Sequence, residues 1–460
     1  MIMVLNGLHY ILSYPDADIV REWNIDEVLH ISADVCYALY RYWSITYDDA
    51  YMKEKPMTSF AERSSPYSEA LRSPSFRNLL IGQGLSMIGD AVCLAALPVA
   101  LIHAKLNGEV FGVVMAAVGL GTVIGAVTGG LLADRKSPKY TLIATDIARG
   151  LAQVAATMLL VLNAPWWGLV LAYLIFGIGI GISRPCAQVL LVNLLPKQAL
   201  VAGNGAMNFV DNFVAVVFPA TVGVMIILWE PAWGILIDGI TFFAAALFTA
   251  LIPDIGTRDF DDKFSMHEVL NGITVITSNS VLLLGFIATL ILNVLCFPIF
   301  LVVAPYAISD RFSDTMWGFC LAASGAGACI GSVITVLTAG HQHLIRLAVI
   351  CGGFLCSAML LLSMGSFVWM VILGAMFVGI VEASWLTGWA TAIQILSPEK
   401  NLGKVVAVDT FVTSGAHPFI YLGAGVIGAT MGYSDTLTLT AIVSAIGIIT
   451  IAFTAITRKI

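Results

Sequence analysis

Long apolar runs separated by short polar stretches make up the chain from Phe76 to Ile460. A run of about 20 apolar residues is long enough to cross a bilayer core of about 30 Å as an α-helix. The pattern therefore predicts an all-α membrane protein with twelve transmembrane helices. We place these spans near 78–104, 110–132, 140–163, 166–191, 206–228, 232–252, 280–306, 316–339, 345–363, 367–391, 407–430 and 435–457.

The longest polar gap in this membrane part, 253–279, follows the sixth span. It predicts a cytoplasmic linker between an N-terminal six-helix half, 76–252, and a C-terminal six-helix half, 280–460. The halves also share a short pattern, because residues 119–125 in span 2 resemble residues 325–331 in span 8. We interpret this similarity as an internal duplication around a site at the membrane midplane. The alternative is chance repetition of glycine, which is common in membrane helices.

Residues 1–75 differ from the rest of the chain because they are mixed in polarity and rich in acidic side chains. No basic region precedes an apolar core at their start, so they do not read as a signal peptide. We predict a cytoplasmic N-terminal extension that ends in a linker. The two alternatives for its role are an extension without independent function and a small helical module that binds a protein partner.

The basic residues outside the spans lie almost entirely on one side of the predicted topology. If odd-numbered spans run outward, only Lys105 and Arg311 fall on the outer side. Lys and Arg in short loops resist translocation and so mark the cytoplasmic side. We therefore predict that both termini and the 253–279 linker are cytoplasmic.

Composition excludes a water-soluble globular protein. The 460 residues are 59% hydrophobic, the mean hydropathy is +0.92, and the 11% of charged residues is under half of the roughly 25% usual in soluble domains. The eight cysteines show no metal-binding spacing, so neither disulfides nor a metal site is implied. Phosphate-binding loops and common hydrolase motifs are absent from the sequence. We expect no enzyme activity, no cofactor, no ATP-driven pump and no nucleic-acid partner.

A charged turn between spans 2 and 3 carries the most specific motif. Its sequence, Gly130-Leu-Leu-Ala-Asp-Arg-Lys-Ser-Pro-Lys139, resembles the signature loop of the major facilitator superfamily of transporters, G-x-L-a-D-R-x-G-R-K. Ser137 and Pro138 depart from that pattern. The resemblance implies a gating role for the four functional matches, Gly130, Asp134, Arg135 and Lys139. The alternative is an ordinary basic cytoplasmic loop.

Span 1 is similar to the macrolide-efflux and siderophore-exporter branch of that superfamily. The residues that carry this similarity are Phe76-Arg77, Gly82-Gln83, Ser86 and Gly89-Asp90. Span 3 adds a charge pair, Asp146 and Arg149, at the D-x-x-R spacing often seen in the branch. The resemblance to this efflux and siderophore-exporter branch implies the inner membrane of a bacterium as the location.

Span 5 resembles the antiporter motif G-P-x-x-G-G, which is credited with kinking this span and limiting leak. Pro219 and Gly223 are retained, while Phe218 and Val222 replace two of the glycines. The resemblance implies an antiporter, although the motif is present here only in a weakened form.

Ionisable groups at membrane depth are costly and usually face a cavity or a partner. At about 1.5 Å of rise per residue, Asp90 lies roughly 18 Å along span 1, near the midplane. Asn293 in span 7 and His417 in span 11 come out at similar depths, and Glu382 in span 10 lies in the cytoplasmic half. The family resemblance implies that spans 1, 4, 7 and 10 line the central cavity. Asp90, Gln188, Asn293 and Glu382 would then lie on the transport path.

Each polar residue also has a structural explanation. Asp90 could hydrogen bond to a neighbouring helix, and Glu382 could do the same. His417 precedes a proline and could serve in helix packing alone. We expect Asp238, with Asp211 and Asp409, to lie near span ends, where water or helix termini satisfy it.

These features together predict a secondary active transporter, specifically a proton-coupled exporter of a small amphipathic compound such as a drug, antibiotic or siderophore-like metabolite. Its partners would be that substrate, protons and the lipid bilayer. A carboxyl group in an apolar cavity can take up a proton on one side and release it on the other. The alternatives are a proton-coupled importer and a receptor or scaffold that no longer transports and uses its N-terminal extension to bind a protein.

Overall fold

The structure is a computed structural model that describes residues 70–135, 137–196, 199–200, 202–211, 213–214, 230–254, 273–337, 344–398 and 401–458. The predictions for residues 1–69, for the central linker and for most of span 5 concern residues outside these ranges. Pro219 and Gly223 are among them.

The described residues form helices and no strands. The helices are α1 (Pro74–His103), α2 (Gly108–Arg135), α3 (Pro138–Val161), α4 (Trp167–Leu194), α5 (Ala232–Ala250), α6 (Ser280–Thr289), α7 (Phe297–Ser309), α8 (Met316–Leu337), α9 (Leu344–Met364), α10 (Val368–Leu396), α11 (Leu402–Met431) and α12 (Tyr433–Arg458). A π-helical turn, Leu290–Cys296, joins α6 and α7 into a single span.

Eleven of the predicted spans are helices long and apolar enough to cross a membrane within the described ranges. The predicted sixth span corresponds to α5, and the seventh to α6 with α7. Several helices extend beyond the apolar run that predicted them, as α10 does by continuing to Leu396. The all-α membrane fold is confirmed.

Local sequence explains where the helices begin and end. The Ser73 hydroxyl accepts a hydrogen bond from the backbone N–H of Phe76 at 3.3 Å and caps α1. Pro138, which departs from the signature loop, occupies the first turn of α3, where a proline ring is well tolerated. Gly432 has a positive φ of 100° and ends α11, so that α12 starts at the next residue.

Glycines bring two pairs of helices into close contact. A Cβ atom added to Gly125 of α2 would lie 2.2 Å from the carbonyl oxygen of Ile178 in α4. In the second half, a Cβ on Gly331 of α8 would lie 2.4 Å from the carbonyl oxygen of Ile380 in α10. The two glycines occupy matching positions in the segments whose similarity suggested a duplication. The same close packing therefore recurs in both halves.

We expect Gly125→Val to destabilise the protein by about 1–3 kcal/mol or more, because the new side chain overlaps backbone that cannot move aside. The variant should give less monodisperse protein and a lower melting temperature after purification. Gly423→Val is the matched control, since a Cβ at Gly423 meets nothing within 4 Å in the structure. Equal melting temperatures for the two variants would contradict this account of the α2–α4 contact.

Most helix contacts lie within the halves. In the first half, α2 packs on α4, and α1 and α3 pack on α5. In the second, α8 packs on α10, and α9 packs on α10 and α12. The largest contact between the halves joins α2 to α11.

Contacts between the halves concentrate at the end of the bundle that holds the α1–α2 and α11–α12 turns. The backbone N–H of Gly108 donates to the Tyr433 hydroxyl at 2.8 Å, and the Tyr433 ring stacks on Tyr306 with centroids 5.0 Å apart. The His103 Nε2 atom lies 2.9 Å from a carboxylate oxygen of Asp314. We call this set of contacts the gate. It closes one end of the bundle.

Candidate functional site

An ion pair joins α1 to α3 in the middle of the first half. The Nη2 atom of Arg149 donates to both carboxylate oxygens of Asp90, at 2.8 and 3.0 Å, and its Nη1 atom donates to the Ser86 hydroxyl at 3.4 Å. The Asp90 side chain is 42% exposed, whereas that of Arg149 is only 5% exposed. Asp90 is thus accessible, whereas the arginine that binds it is buried.

Two aromatic rings fix the position of Arg149. The guanidinium carbon lies 3.9 Å from the centroid of the Phe242 ring on α5 and 4.9 Å from that of Phe176 on α4. Both distances fall in the range of cation–π attraction, which is stronger when the cation is desolvated. Arg149 therefore sits where α1, α3, α4 and α5 meet.

Asp238 of α5 lies in the same region. It is fully buried and accepts a hydrogen bond from the side-chain amide of Gln153 on α3. The same amide lies 3.3 Å from the sulfur of Cys93, which lies 3.6 Å from the Tyr173 hydroxyl. The expectation that water or a helix terminus satisfies Asp238 was wrong, because α1 and α3 cover this part of α5.

Gly89 explains how α5 comes so close to Asp90. A Cβ atom at Gly89 would lie 2.2 Å from the Oδ1 atom of Asp238 and 2.1 Å from the Thr241 hydroxyl. No side chain fits at this position without moving α5 away from α1. The Gly89-Asp90 pair of the family resemblance therefore has a structural reason, since the glycine lets a second carboxyl group lie directly behind Asp90.

Asp146 completes the cluster of polar groups. Asp146 is completely buried, and neither of its carboxyl oxygens has a hydrogen-bond partner among the described residues. It lies one turn before Arg149 on α3, yet Arg149 bonds to Asp90 of α1 instead. Asp146 and Arg149, the two charged residues of span 3, therefore share no hydrogen bond in the structure. We call Asp90, Asp146, Arg149, Gln153 and Asp238 the N-half cluster.

The second half contains a separate polar site, formed by Asn293, Glu382 and His417, which we call the C-half site. Asn293, in the π-helical turn, and Glu382 of α10 line a cavity of about 10 Å³ together with Leu355 of α9. That volume holds about one water molecule. His417 of α11 interacts with the backbone of Asn293, while its Nε2 atom has no partner among the described residues. The structure thus brings three of the predicted site residues together, away from the N-half cluster.

Other predicted residues lie apart from both sites. Gln188 is on an exposed face of α4. Gly130, Asp134 and Arg135 belong to the last turns of α2, so the signature loop is mostly helical, and Lys139 is buried in the first turn of α3. Within the part of the chain that the structure describes, no group of His, Cys, Asp and Glu side chains is arranged to hold a metal ion.

Comparison with known proteins agrees with this architecture. The family model of the Major Facilitator Superfamily matches residues 79–420. A search of curated protein sequences found no match.

Solved structures show the same fold at low sequence identity. The nucleoside transporter NupG is 12% identical with a TM-score of 0.67, and the alignment covers 82% of this chain and 98% of that one. A POT family transporter in complex with a thioalcohol-conjugated peptide is 13% identical with a TM-score of 0.65, covering 83% and 96%. A bacterial homologue of the iron transporter ferroportin, in its inward-facing state, is 17% identical with a TM-score of 0.62, covering 83% and 98%.

The family match extends over most of the chain, and it includes the helices that carry the N-half cluster and the C-half site. The family match and the eleven helices that are long and apolar enough to cross a membrane together indicate a membrane transporter fold. The chain is a multi-pass membrane protein that belongs to the Major Facilitator Superfamily.

Proposed function

We propose that the protein is a secondary active transporter that couples proton movement to the export of a small amphipathic organic compound. The observation that carries this proposal is the Asp90–Arg149 ion pair in the middle of two membrane-spanning helices. Charged residues at that depth are costly and typically mark a pathway for ions or substrate. The Asp90 side chain is partly exposed and so accessible to a proton or a ligand, whereas that of Arg149 is buried.

The pair supplies a simple means of coupling. A proton that binds Asp90 neutralises the carboxylate and breaks its ion pair with Arg149. A substrate with a positively charged or hydrogen-bond-donating group would compete with Arg149 for the same carboxylate. Proton and substrate then exclude each other at Asp90, which is the requirement for exchange of one against the other. The equilibrium between the inward-open and outward-open conformations then shifts, because the proton and the substrate differ in their affinity for the two conformations.

The gate supports loading from the cytoplasm. If the basic residues mark the cytoplasmic side, the gate lies at the outer end, so substrate would reach the bundle from the inner end. The signature-loop residues Gly130, Asp134, Arg135 and Lys139 would then hold the inner end closed in the opposite state. The span-5 residues Pro219 and Gly223 would limit leak, as their resemblance to the antiporter motif implies.

Glu382, Asn293 and His417 form the second candidate site on the path, and Gln188 of α4 is a candidate for substrate contact. The span-1 resemblance favours the efflux and siderophore-exporter branch and the inner membrane of a bacterium. The importer alternative predicts substrate movement in the same direction as protons. The receptor alternative predicts no transport and a protein partner for residues 1–75.

Transport by the wild-type protein in vesicles tests the proposal. A compound is first chosen by screening amphipathic organic molecules for those that raise the melting temperature of the purified protein, because a ligand of the folded state stabilises it. An imposed pH gradient should then drive that compound in the direction opposite to the protons. Movement with the protons would support the importer, and gradient-independent equilibration would contradict proton coupling.

The predicted topology has its own test. Cysteines introduced as Lys263→Cys and Arg458→Cys should react with an impermeant thiol reagent only after the cells are permeabilised. Lys105→Cys, in the turn between α1 and α2, is the matched control and should react in intact cells. The orientation is wrong if Arg458→Cys reacts in intact cells and Lys105→Cys does not.

A further inference from the structure

We infer that Asp238 is a second proton-binding residue, which lies behind the Asp90–Arg149 pair and carries a proton in the state described here. The inference concerns the charge state of a buried side chain, and it stands on the geometry of the N-half cluster. Its consequence for transport rests on the proposed function.

Charge balance is the first reason. The N-half cluster holds three carboxyl groups and one guanidinium, and the guanidinium bonds to Asp90 through both carboxylate oxygens. With all three carboxyls ionised, the cluster would carry two uncompensated negative charges inside the membrane. An unpaired charge in this environment is strongly unfavourable, and carboxyl groups avoid it by binding protons.

The surroundings of Asp238 offer it no cation of its own. The groups that face it are Asp90 and Cys93 from α1, Arg149 and Gln153 from α3, and Tyr173 from α4. Arg149 is the only cation among these described neighbours, and its hydrogen bonds go to α1. The ring of Phe242, one turn along α5 from Asp238, covers the guanidinium face. Among the described residues, Asp238 is therefore hydrogen bonded only by neutral groups, the Gln153 amide and the Cys93 thiol.

Gln153 suits a residue that gains and loses a proton. Its amide nitrogen donates to Asp238 in the arrangement described. Turned over, the same amide presents its oxygen and accepts from a protonated carboxyl, because a side-chain amide has both a donor and an acceptor end. The pair thus keeps a hydrogen bond in either protonation state.

Unpartnered atoms next to Asp238 point to a second arrangement of the cluster. The Oδ1 atom of Asp238, the Nε atom of Arg149 and both carboxyl oxygens of Asp146 are buried without hydrogen-bond partners among the described residues. Loss of the Asp238 proton would give Arg149 a second carboxylate to bind, and its hold on Asp90 would weaken. The protonation state of Asp238 would thereby control how readily Arg149 gives up Asp90. Asp90 could then bind a proton or a substrate instead.

Infrared spectroscopy of the purified full-length protein in lipid nanodiscs tests the inference without any substrate. A protonated carboxyl group has a C=O stretching band that is separate from the amide bands and shifts on exchange into D₂O. Asp238→Asn should remove one such band that the wild-type protein has. Asp254→Asn is the matched control, because Asp254 is exposed and lies just beyond the C-terminal end of α5. It should leave the spectrum unchanged. An unchanged band in Asp238→Asn protein would overturn the inference.

A second variant keeps the test decisive if Asp238→Asn protein does not fold. Gln153→Leu removes the hydrogen bond to Asp238 but leaves its carboxyl group in place. The band should remain and move to higher frequency, as expected for a carboxyl C=O that loses a donor. A band at the wild-type frequency in Gln153→Leu protein would show that it does not belong to Asp238. Neither result depends on a pH gradient, so failure of the transport proposal would be seen separately.

Discussion

Replacing Asp90 with Asn is expected to abolish accumulation of substrate against its gradient while substrate binding stays measurable. Asn keeps nearly the same size and a hydrogen-bonding head, but it has no proton to exchange. The protein should still fold, because Arg149 can bind an ionised Asp146 or Asp238 once Asp90 is neutral. Accumulation in vesicles under an imposed pH gradient measures the first effect, and the ligand-induced rise in melting temperature measures the second.

Two further variants show whether the effect is specific. Asp254→Asn changes the same functional group at an exposed position outside the cluster and should accumulate substrate as the wild type does. Glu382→Gln, in the separate C-half site, should give a milder loss than Asp90→Asn. Gradient-driven accumulation by Asp90→Asn protein at the wild-type level would rule out Asp90 as the essential proton carrier.

Arg149→Gln is expected to destabilise the protein and to stop transport. It leaves three carboxyl groups in the cluster without a cation, and it removes the contacts with the Phe242 and Phe176 rings. Breaking a fully buried ion pair costs roughly 3–5 kcal/mol. Because Asp90 is 42% exposed and can be hydrated or protonated, we expect a smaller loss of about 1–3 kcal/mol. Thermal melting of the purified variant measures it.

The double variant Asp90→Asn/Arg149→Gln separates the ion pair from general packing. It removes both charges at once, so it should be more stable than the sum of the single effects predicts, although it should remain unable to couple protons. The difference is the interaction energy of the pair, since residues in contact are not additive. Purely additive effects would show that Asp90 and Arg149 do not stabilise each other.

The sequence predicted the helices well because membrane burial requires long apolar segments, and few other structures produce them. Eleven spans agree with the described helices, and the signature loop identified the family. The glycines that bring α2 close to α4 were visible in the sequence as a repeated pattern, although the contact itself was not predicted. These features are local in the chain, or depend on spacing along a single helix.

The partners of the buried charges could not be predicted in the same way. Asp90 was identified from its depth and from the family resemblance of span 1, but its pairing with Arg149 depends on how α1 and α3 both pack on α5. Asp238 lies two turns from the start of α5, which suggested access to water, and only the packing of neighbouring helices shows that it is enclosed. The π-helical turn at Asn293 likewise has no clear signal in its sequence, Leu-Ile-Leu-Asn-Val-Leu-Cys.

Proton movement driven by substrate is the most direct test of the central claim. The protein is reconstituted into vesicles that trap a pH-sensitive dye, and the membrane potential is clamped. The vesicles are then given an outward or inward concentration gradient of the compound that was selected by thermal stabilisation. The wild-type protein should move protons against the flow of that compound and change the internal pH, and Asp90→Asn protein should not. If the compound crosses with the wild-type protein and the internal pH stays constant, the proposed proton coupling at Asp90 and Arg149 is contradicted.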